Sequence, residues 1–505
     1  MNKLKRWVCL ALASLTLLSS AAIFTGCATG NDENSDGSKA PGAESSSEAE
    51  TDRFQNVHFD GREYRIYTSI NAASTGMGNS NFLIEGDPEA VGNMVNDAVM
   101  ERNVTVEEKL DVKLVFIPCE ASQMDVASDI QKYTQGGLNE FDIVINDIFG
   151  LSTLVVSGHF RNVLEEDCVF DFDQSYWYKD VMEDLRLING YQYVLAGDFF
   201  ADVLRSAHLL LLNKAIYQDY NHTSADELYD TVSNYEWTFD KLNQIITDTY
   251  TDKNLNNTVD KGDQFGLING GSWGYFIPFS VCGNPPYIVR DEEGIPTFSL
   301  HEGDRSNQLA TKMGTLIAND STSLAFGDED LLPAFTNGEC LVACGQRLGS
   351  LENPILRQME NDAAVLPYPM LFAADKKYVT SFHDTTEMGF IPTTAQDMEF
   401  ISTVTEVLNR ETASIVLPKY YKESLQVQCV DDEKAAAMID IIHDNFANAF
   451  ILAYNSPLGN YVFEVFFTAA NDKREFSVVY ASRQKAIEKK LTTMIRSYKK
   501  HCNIE

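Results

Sequence analysis

Between Asp252 and Asp263 the chain reads Asp-Lys-Asn-Leu-Asn-Asn-Thr-Val-Asp-Lys-Gly-Asp. Asp252, Asn254, Asn256, Thr258, Asp260 and Asp263 fall at positions 1, 3, 5, 7, 9 and 12 of that run. A hard divalent cation needs several oxygens on one short arc, and a calcium loop supplies them from these positions. Thr258 would contribute its backbone carbonyl, and Val259 fills the apolar position between ligands. Two residues depart from the pattern. Asn257 stands where the turn usually has Gly, although Asn tolerates left-handed backbone. Asp263 is shorter than the usual bidentate Glu. The run is read as a structural Ca2+ site; the alternative is an Asn/Asp-rich turn held by its own side-chain hydrogen bonds.

Flat aromatic rings form a second group. Trp177 sits in Ser-Tyr-Trp-Tyr, and Trp273 and Tyr275 sit in Gly-Gly-Ser-Trp-Gly-Tyr. Sugars present apolar C–H faces and a rim of hydroxyls. A site for them wants aromatic platforms flanked by side chains that donate and accept hydrogen bonds. Trp273 is the leading platform and Trp177 the second, while Trp237, at a helix start, reads as a packing residue. The polar candidates are Asp147 at a strand end, Asp384 in Phe-His-Asp-Thr-Thr, and Arg347 after Cys344-Gly345-Gln346. Ser69 is a weaker one. Turn capping is the competing role for both aspartates.

Nothing nominates a catalytic centre. With 74 acidic residues some carboxylate pair can always be imagined, so abundance proves nothing. A glycosidase needs two specific carboxylates across the scissile bond, and no motif picks out a pair. Zinc-protease, P-loop and dinucleotide fingerprints are absent from the sequence. The chain is read as a non-enzyme.

The N-terminus bears on where these groups work. Lys3, Lys5 and Arg6 precede an apolar run over 7–24, which ends in Phe24-Thr25-Gly26-Cys27. This is the layout of a secretory signal. It resembles a bacterial lipoprotein signal, in which Cys27 would be lipidated; Phe24 stands where Leu is usual. The alternative is an ordinary signal or anchor with a chance Cys. Residues 27–53 are polar and poor in branched apolar side chains, so they read as a flexible tether. The remainder is globular in composition, with 44% hydrophobic and 11% aromatic residues in the whole chain. It exceeds the size at which one core keeps growing, so two lobes are expected.

The net charge of −35 argues against nucleic acid, whose phosphates need Lys and Arg. A neutral ligand is the easier fit. Nine cysteines are scattered without zinc-ligand spacing. They are read mainly as buried free thiols, with one or two disulfides as the alternative.

Periodicity predicts strands over 64–69, 112–117 and 141–146, separated by helices over 91–110 and 122–135. That is the β-α-β-α-β opening of a parallel sheet, and ligands of such sheets bind beyond the carboxyl ends of the strands. Further strands are predicted over 193–195, 207–213, 265–268, 340–344, 363–366, 378–382 and 388–391. A helix is predicted over 237–250 with Thr238 as N-cap, and mainly helix from 400, closing with a basic helix over 482–501.

Three stretches carry a resemblance: Val95-Asn96-Asp97-Ala98-Val99-Met100-Glu101-Arg102-Asn103, Tyr235-Glu236-Trp237-Thr238-Phe239-Asp240-Lys241-Leu242, and Arg410-Glu411 through Leu417-Pro418-Lys419-Tyr420-Tyr421. In their order they resemble the carbohydrate-type solute-binding lipoproteins of bacterial ABC importers (solute-binding protein family 1). The resemblance implies a two-lobed, type II periplasmic-binding-protein-like α/β fold, each lobe an open, mostly parallel sheet flanked by helices. The implied layout is signal 1–26, tether 27–53, first lobe 54–205, second lobe 206–377, and a crossover with a helical return over 378–505. It also implies a monomer, lipid-anchored outside the cell membrane, that holds a carbohydrate between its lobes and serves an ABC permease; the alternatives are a surface carbohydrate-active enzyme and a binding protein for peptides or another solute. Loops like 252–263 occur in that family ahead of a strand such as Gln264-Phe265-Gly266-Leu267.

Overall fold

The structure, a computed structural model, describes residues 52–69, 80–90, 92–122, 125–359, 362–426 and 433–504. The predicted signal, most of the tether and Cys27 lie outside the described residues. Among the described residues no helix is long and apolar enough to cross a membrane, and the six described cysteines are free thiols.

The strands are β1 (Arg62–Ser69), β2 (Val112–Cys119), β3 (Ile143–Asp147), β4 (His208–Asn213), β5 (Phe265–Gly270), β6 (Ile288–Arg290), β7 (Pro296–Phe298), β8 (Thr322–Phe326), β9 (Cys340–Arg347), β10 (Ala363–Leu366) and β11 (Glu387–Phe390). β1 begins exposed and ends buried, and β3 is buried throughout. Strands covered by helices on both faces read as continuous apolar runs in this way. β1 lies parallel to β2 and β3. The crossover helices Met94–Leu110 and Val126–Gly136 connect them. Asn93 caps the first by accepting from the Asn96 N–H, and Asp111 ends it in left-handed backbone. β11, supplied from far along the chain, closes this sheet antiparallel to β3, giving the order β11-β3-β1-β2.

The second sheet has the order β10-β4-β9-β5-β8. β5 runs parallel to β8 and β9, whereas β4 is antiparallel to β9 and β10. β6 and β7 form a separate hairpin. The chain passes between the two sheets twice, side by side. His208 N–H donates to the Ser381 carbonyl at 2.9 Å, and His383 N–H donates to the Ser206 carbonyl at 3.1 Å. Helices return at the C-terminus. The last, Phe476–His501, packs on Ile148–Ser157 beside the first sheet and on Arg305–Ile317 beside the second.

Some sequence expectations need correction. Residues 193–195 and 378–382 do not form strands. They make isolated bridges, Leu195 to Gly389, Thr380 to Phe446 and Phe382 to Ala207, because each extended segment meets only single partner residues. The helix placed over 237–250 is Phe239–Ile246, with Thr238 as its cap. β6, β7 and β8 were not foreseen.

Candidate functional site

The site grows from an irregularity in β9. Leu209 pairs with Gln346 but Leu211 pairs with Ala343, so Cys344 and Gly345 together stand opposite Leu210. This is a bulge, and Gly345 takes φ 71°, which a residue with a Cβ adopts only under strain. Its N–H donates to the Tyr368 hydroxyl at 2.8 Å. Beyond the bulge the ladder resumes, and Arg347 pairs with His208. His208 Nδ1 lies 2.9 Å from Ser381 Oγ on the neighbouring crossing strand. The next residues along that strand bring in His383, its ring centroid 5.9 Å from that of His208.

His383 Nδ1 accepts from the Thr385 N–H at 3.2 Å. A ring nitrogen that accepts carries no proton, so the network assigns the proton of the neutral ring to Nε2. Asp384 Oδ1 lies 3.2 Å from the same Nδ1, and Asp384 Oδ2 accepts from Asn455 Nδ2 at 3.1 Å. Burial, and then Arg347, lower the His208 pKa to about 3. The same two causes hold His383 below the usual imidazole value, although its side chain is 33% exposed and partly screened. Burial raises the Asp384 carboxyl.

Tyr275 completes the wall. A Cβ on Gly270 would stand 2.0 Å from the Tyr275 ring, so the ring seats on bare backbone. Together His208, Ser272, Gly274, Tyr275, Ile277, Pro278, Gly345, Arg347, His383 and Asp384 line a cavity of ≈ 290 Å³. A larger groove of ≈ 570 Å³ runs along the helices Arg305–Ile317 and Tyr461–Asn471, but it includes none of these residues.

Of the residues singled out from sequence, the cavity unites Arg347 and Asp384. Trp273 belongs to the 3-10 turn Trp273–Phe276, between cavity residues Ser272 and Gly274, but its side chain lies outside the described part. Asp147 is elsewhere: it caps the helix Ile148–Ser157, its Oδ1 accepting from the Phe149 N–H at 2.7 Å. Trp177 packs at 4% exposure among Phe170, Phe172 and Phe200, and its Nε1 donates to Glu406 at 3.0 Å. Ser69 is buried at the end of β1. Trp237 is fully buried, with its Nε1 donating to the Pro367 carbonyl at 2.8 Å. His208 and His383 were not anticipated, although His383 stands beside Asp384 in the sequence.

The 252–263 loop turns through left-handed Leu255 and Asn257, at φ 57° each. Asp252 Oδ2 accepts from the Asn257 N–H, Asn254 Oδ1 from the Asn256 N–H, and Asn256 Oδ1 from the Thr258 N–H. Asp260 is partnered by the amides of Asn254 and Asn256. Asp252 Oδ1 and Asp263 Oδ1 are buried without a hydrogen-bond partner. Buried carboxylate oxygens ordinarily have one, so these two fit a cation. Among the described residues no three His, Cys, Asp or Glu side chains converge as metal ligands. Any ligand set must therefore lean on Asn254, Asn256 and the Thr258 carbonyl.

No protein-family model matches the sequence, and no curated protein matches it. Solved structures do resemble the fold. A cyclo/maltodextrin-binding protein complexed with maltotetraose superposes with TM-score 0.55 at 10% identity, covering 86% of this chain and 99% of that one. A family 1 extracellular solute-binding protein from Bifidobacterium longum subsp. infantis gives 0.50 at 12%, covering 86% and 100%. The maltose/maltodextrin-binding domain MalE from Bdellovibrio bacteriovorus, bound to maltotriose, gives 0.50 at 12% with the same coverage. The fold is thus the two-lobed, periplasmic-binding-protein-like α/β fold.

Proposed function

We propose that this protein is a non-catalytic, lipid-anchored extracellular solute-binding protein that captures a carbohydrate, an oligosaccharide by preference, and delivers it to an ABC permease. The observation that carries this reading is the cavity beside the crossing strands. There an aromatic wall, Tyr275, meets Arg347, Asp384 and two imidazoles, the pairing of apolar face and polar rim that a sugar requires. Two proteins of the same fold were solved with maltotetraose and maltotriose. The lining comes from the second sheet's side and from the crossing segment at His383 and Asp384, so closure of the other lobe would cover the ligand, with binding energy spent on the closed state. The test is thermal unfolding of residues 28–505 across neutral oligosaccharides and peptides. A ligand at 100 times its Kd adds about 2.7 kcal/mol. A shift with one sugar class, the sugar recovered intact, is expected. A shift with peptides alone, or a cleaved sugar, would replace the reading.

We further propose that the 252–263 loop holds a structural Ca2+ through Asp252, Asn254, Asn256, the Thr258 carbonyl, Asp260 and Asp263. The two unpartnered carboxylate oxygens support it. Calcium should raise the Tm over that in EDTA, and Asp263→Asn should abolish the difference. An unchanged Tm in wild type would assign the loop to its own hydrogen bonds.

A further inference from the structure

Two histidines in one binding cavity ordinarily suggest a pH switch or an anion site. Here the surroundings point the other way. His208 is 5% exposed and is opposed across the ladder by Arg347, itself 3% exposed. Among the described residues no carboxylate pairs with the His208 ring to balance a second positive charge in that enclosure. What faces it is the Ser381 hydroxyl, the Tyr368 ring and the His383 ring. His383 faces His208, Thr385 and Asp384; the Asp384 carboxyl is in turn occupied by Asn455. The Thr385 N–H fixes the His383 tautomer with its proton on Nε2. With Nδ1 of each ring engaged, both rings have only Nε2 left for a ligand in the cavity they line.

We propose that His383 and His208 are specificity-determining ligand contacts that act as a neutral pair, His383 Nε2–H donating to one hydroxyl of the ligand and His208 Nε2 accepting from another. The pair selects an uncharged polyol segment over an acidic sugar. This rests on the carbohydrate reading above and narrows it to neutral glycans. A hydroxyl both donates and accepts, so a donor and an acceptor on rings 5.9 Å apart satisfy two hydroxyls of one sugar residue. A carboxylate could use only the donor and would leave the acceptor facing a lone pair. The net charge of −35 adds long-range repulsion against anions.

The experiment has two arms on the protein with its Cys27 replaced by Ser. In the first, binding of maltotriose and of a glucuronic-acid-containing disaccharide is titrated against wild type, His383→Leu, His383→Gln, His208→Leu and Tyr275→Ala, each first shown to melt cooperatively. The expected result is maltotriose binding by wild type, a ten- to hundredfold loss in either Leu variant, and partial recovery in His383→Gln, which keeps a donor. Leu variants within twofold of wild type, alongside a Tyr275→Ala variant that has lost binding, would overturn the pair and leave the sugar reading standing. Preference for the acidic disaccharide would also overturn the pair. In the second arm, nitrogen NMR of the unliganded imidazoles is followed from pH 8 to 5. Neutral rings throughout, with His383 protonated at Nε2, are expected; imidazolium signals from either ring near pH 6 would overturn the pair whether or not a sugar binds. Wild type that binds no neutral sugar would overturn both readings.

Discussion

His208 and Arg347 are cross-strand partners at the start of β4 and the end of β9, next to the point where the chain passes between its two sheets. The bulge at Cys344 and Gly345 produces this pairing by shifting the β9 register against β4. One local irregularity thus sets a permanent cation beside an imidazole at the cavity, with Gly345 next to the Tyr275 ring that seats on Gly270.

The seat of Tyr275 predicts the first outcome. Gly270→Ala places a methyl carbon 2.0 Å from the ring, a distance that must be relieved by moving the ring. The other near atoms also belong to the Tyr275 side chain, so the ring moves rather than the sheet. Overpacking of this kind costs roughly 1–3 kcal/mol. Sugar affinity should fall at least tenfold while the variant still unfolds cooperatively; calorimetric titration beside a urea melt checks both. Unchanged affinity would remove Tyr275 from the binding wall.

A second prediction concerns the buried ion pair near the first crossing. Arg205 is fully buried and grips Glu352 with two nitrogens at 2.8 Å, and the Tyr420 hydroxyl donates to the same carboxylate at 2.7 Å. Arg205 precedes β4, and Glu352 ends the 3-10 turn that follows β9. Arg205 also meets Asp202 at 3.1 Å, a carboxylate whose side chain is 9% exposed. Glu352→Gln therefore leaves the buried guanidinium with one counterion and should cost about 3 kcal/mol or less in urea unfolding. Arg205→Met leaves Asp202 and Glu352 both without their cation and should cost more than Glu352→Gln. The reverse order would mean that the guanidinium is no better compensated by its two carboxylates than by water.

How much of this was legible in the sequence depended on whether a residue's role is local. The strands 64–69, 112–117 and 141–146 and the helices between them appear at β1, β2 and β3 because alternation and 3.6-residue spacing are written in consecutive side chains. Arg347 and Asp384 were recognisable at element ends. His208 was not, since a lone His opening the run Leu209-Leu210-Leu211-Leu212 reads as core; its partners Ser381 and Arg347 lie more than a hundred residues away. The bulge was invisible for the same reason: Gly345 is informative only once Leu210 is opposite it. β8 escaped because Thr-Ser-Leu-Ala-Phe is a weak pattern that becomes a strand by pairing with β5. Asp147 shows the converse limit, because a carboxylate at a strand end looks the same in sequence whether it caps the next helix or meets a ligand.

Trp177 allows the placement of the aromatics to be tested separately. Its indole N–H and the Tyr176 hydroxyl both donate to Glu406, a carboxylate with only 1% of its side chain exposed. Trp177→Phe removes one donor and leaves the carboxylate under-satisfied, at a cost of roughly 1–3 kcal/mol. The variant should lose stability in urea and keep its sugar affinity within twofold. A tenfold loss of affinity without loss of stability would place Trp177 in the binding site instead.

The last prediction follows from the charge state of His208. Its folded-state pKa, lowered to about 3 by burial and by Arg347, lies below the value near 6.5 expected in the unfolded chain. As pH falls below about 6.5 the unfolded state takes up a proton that the folded state refuses. The contribution of this site to stability is therefore complete above 6.5 and is lost progressively toward pH 3, with a limiting slope of about 1.4 kcal/mol per pH unit. His208→Gln has no proton to take up. His383, His159 and His501 shift in the same direction, and Asp198 and Asp384 in the opposite one. All five remain in both proteins, so the difference between the two curves reports His208 together with the smaller part of the His383 shift that His208 itself causes. Urea unfolding at pH 7.5, 6.5, 5.5 and 4.5 should show wild type losing ground against His208→Gln by about 2–3 kcal/mol across the series, nearly all of it below pH 6.5. Parallel curves would mean that His208 takes up its proton in the folded state as readily as in the unfolded one. The enclosure by Arg347, Tyr368 and Ser381 would then be more open to water than the packing implies.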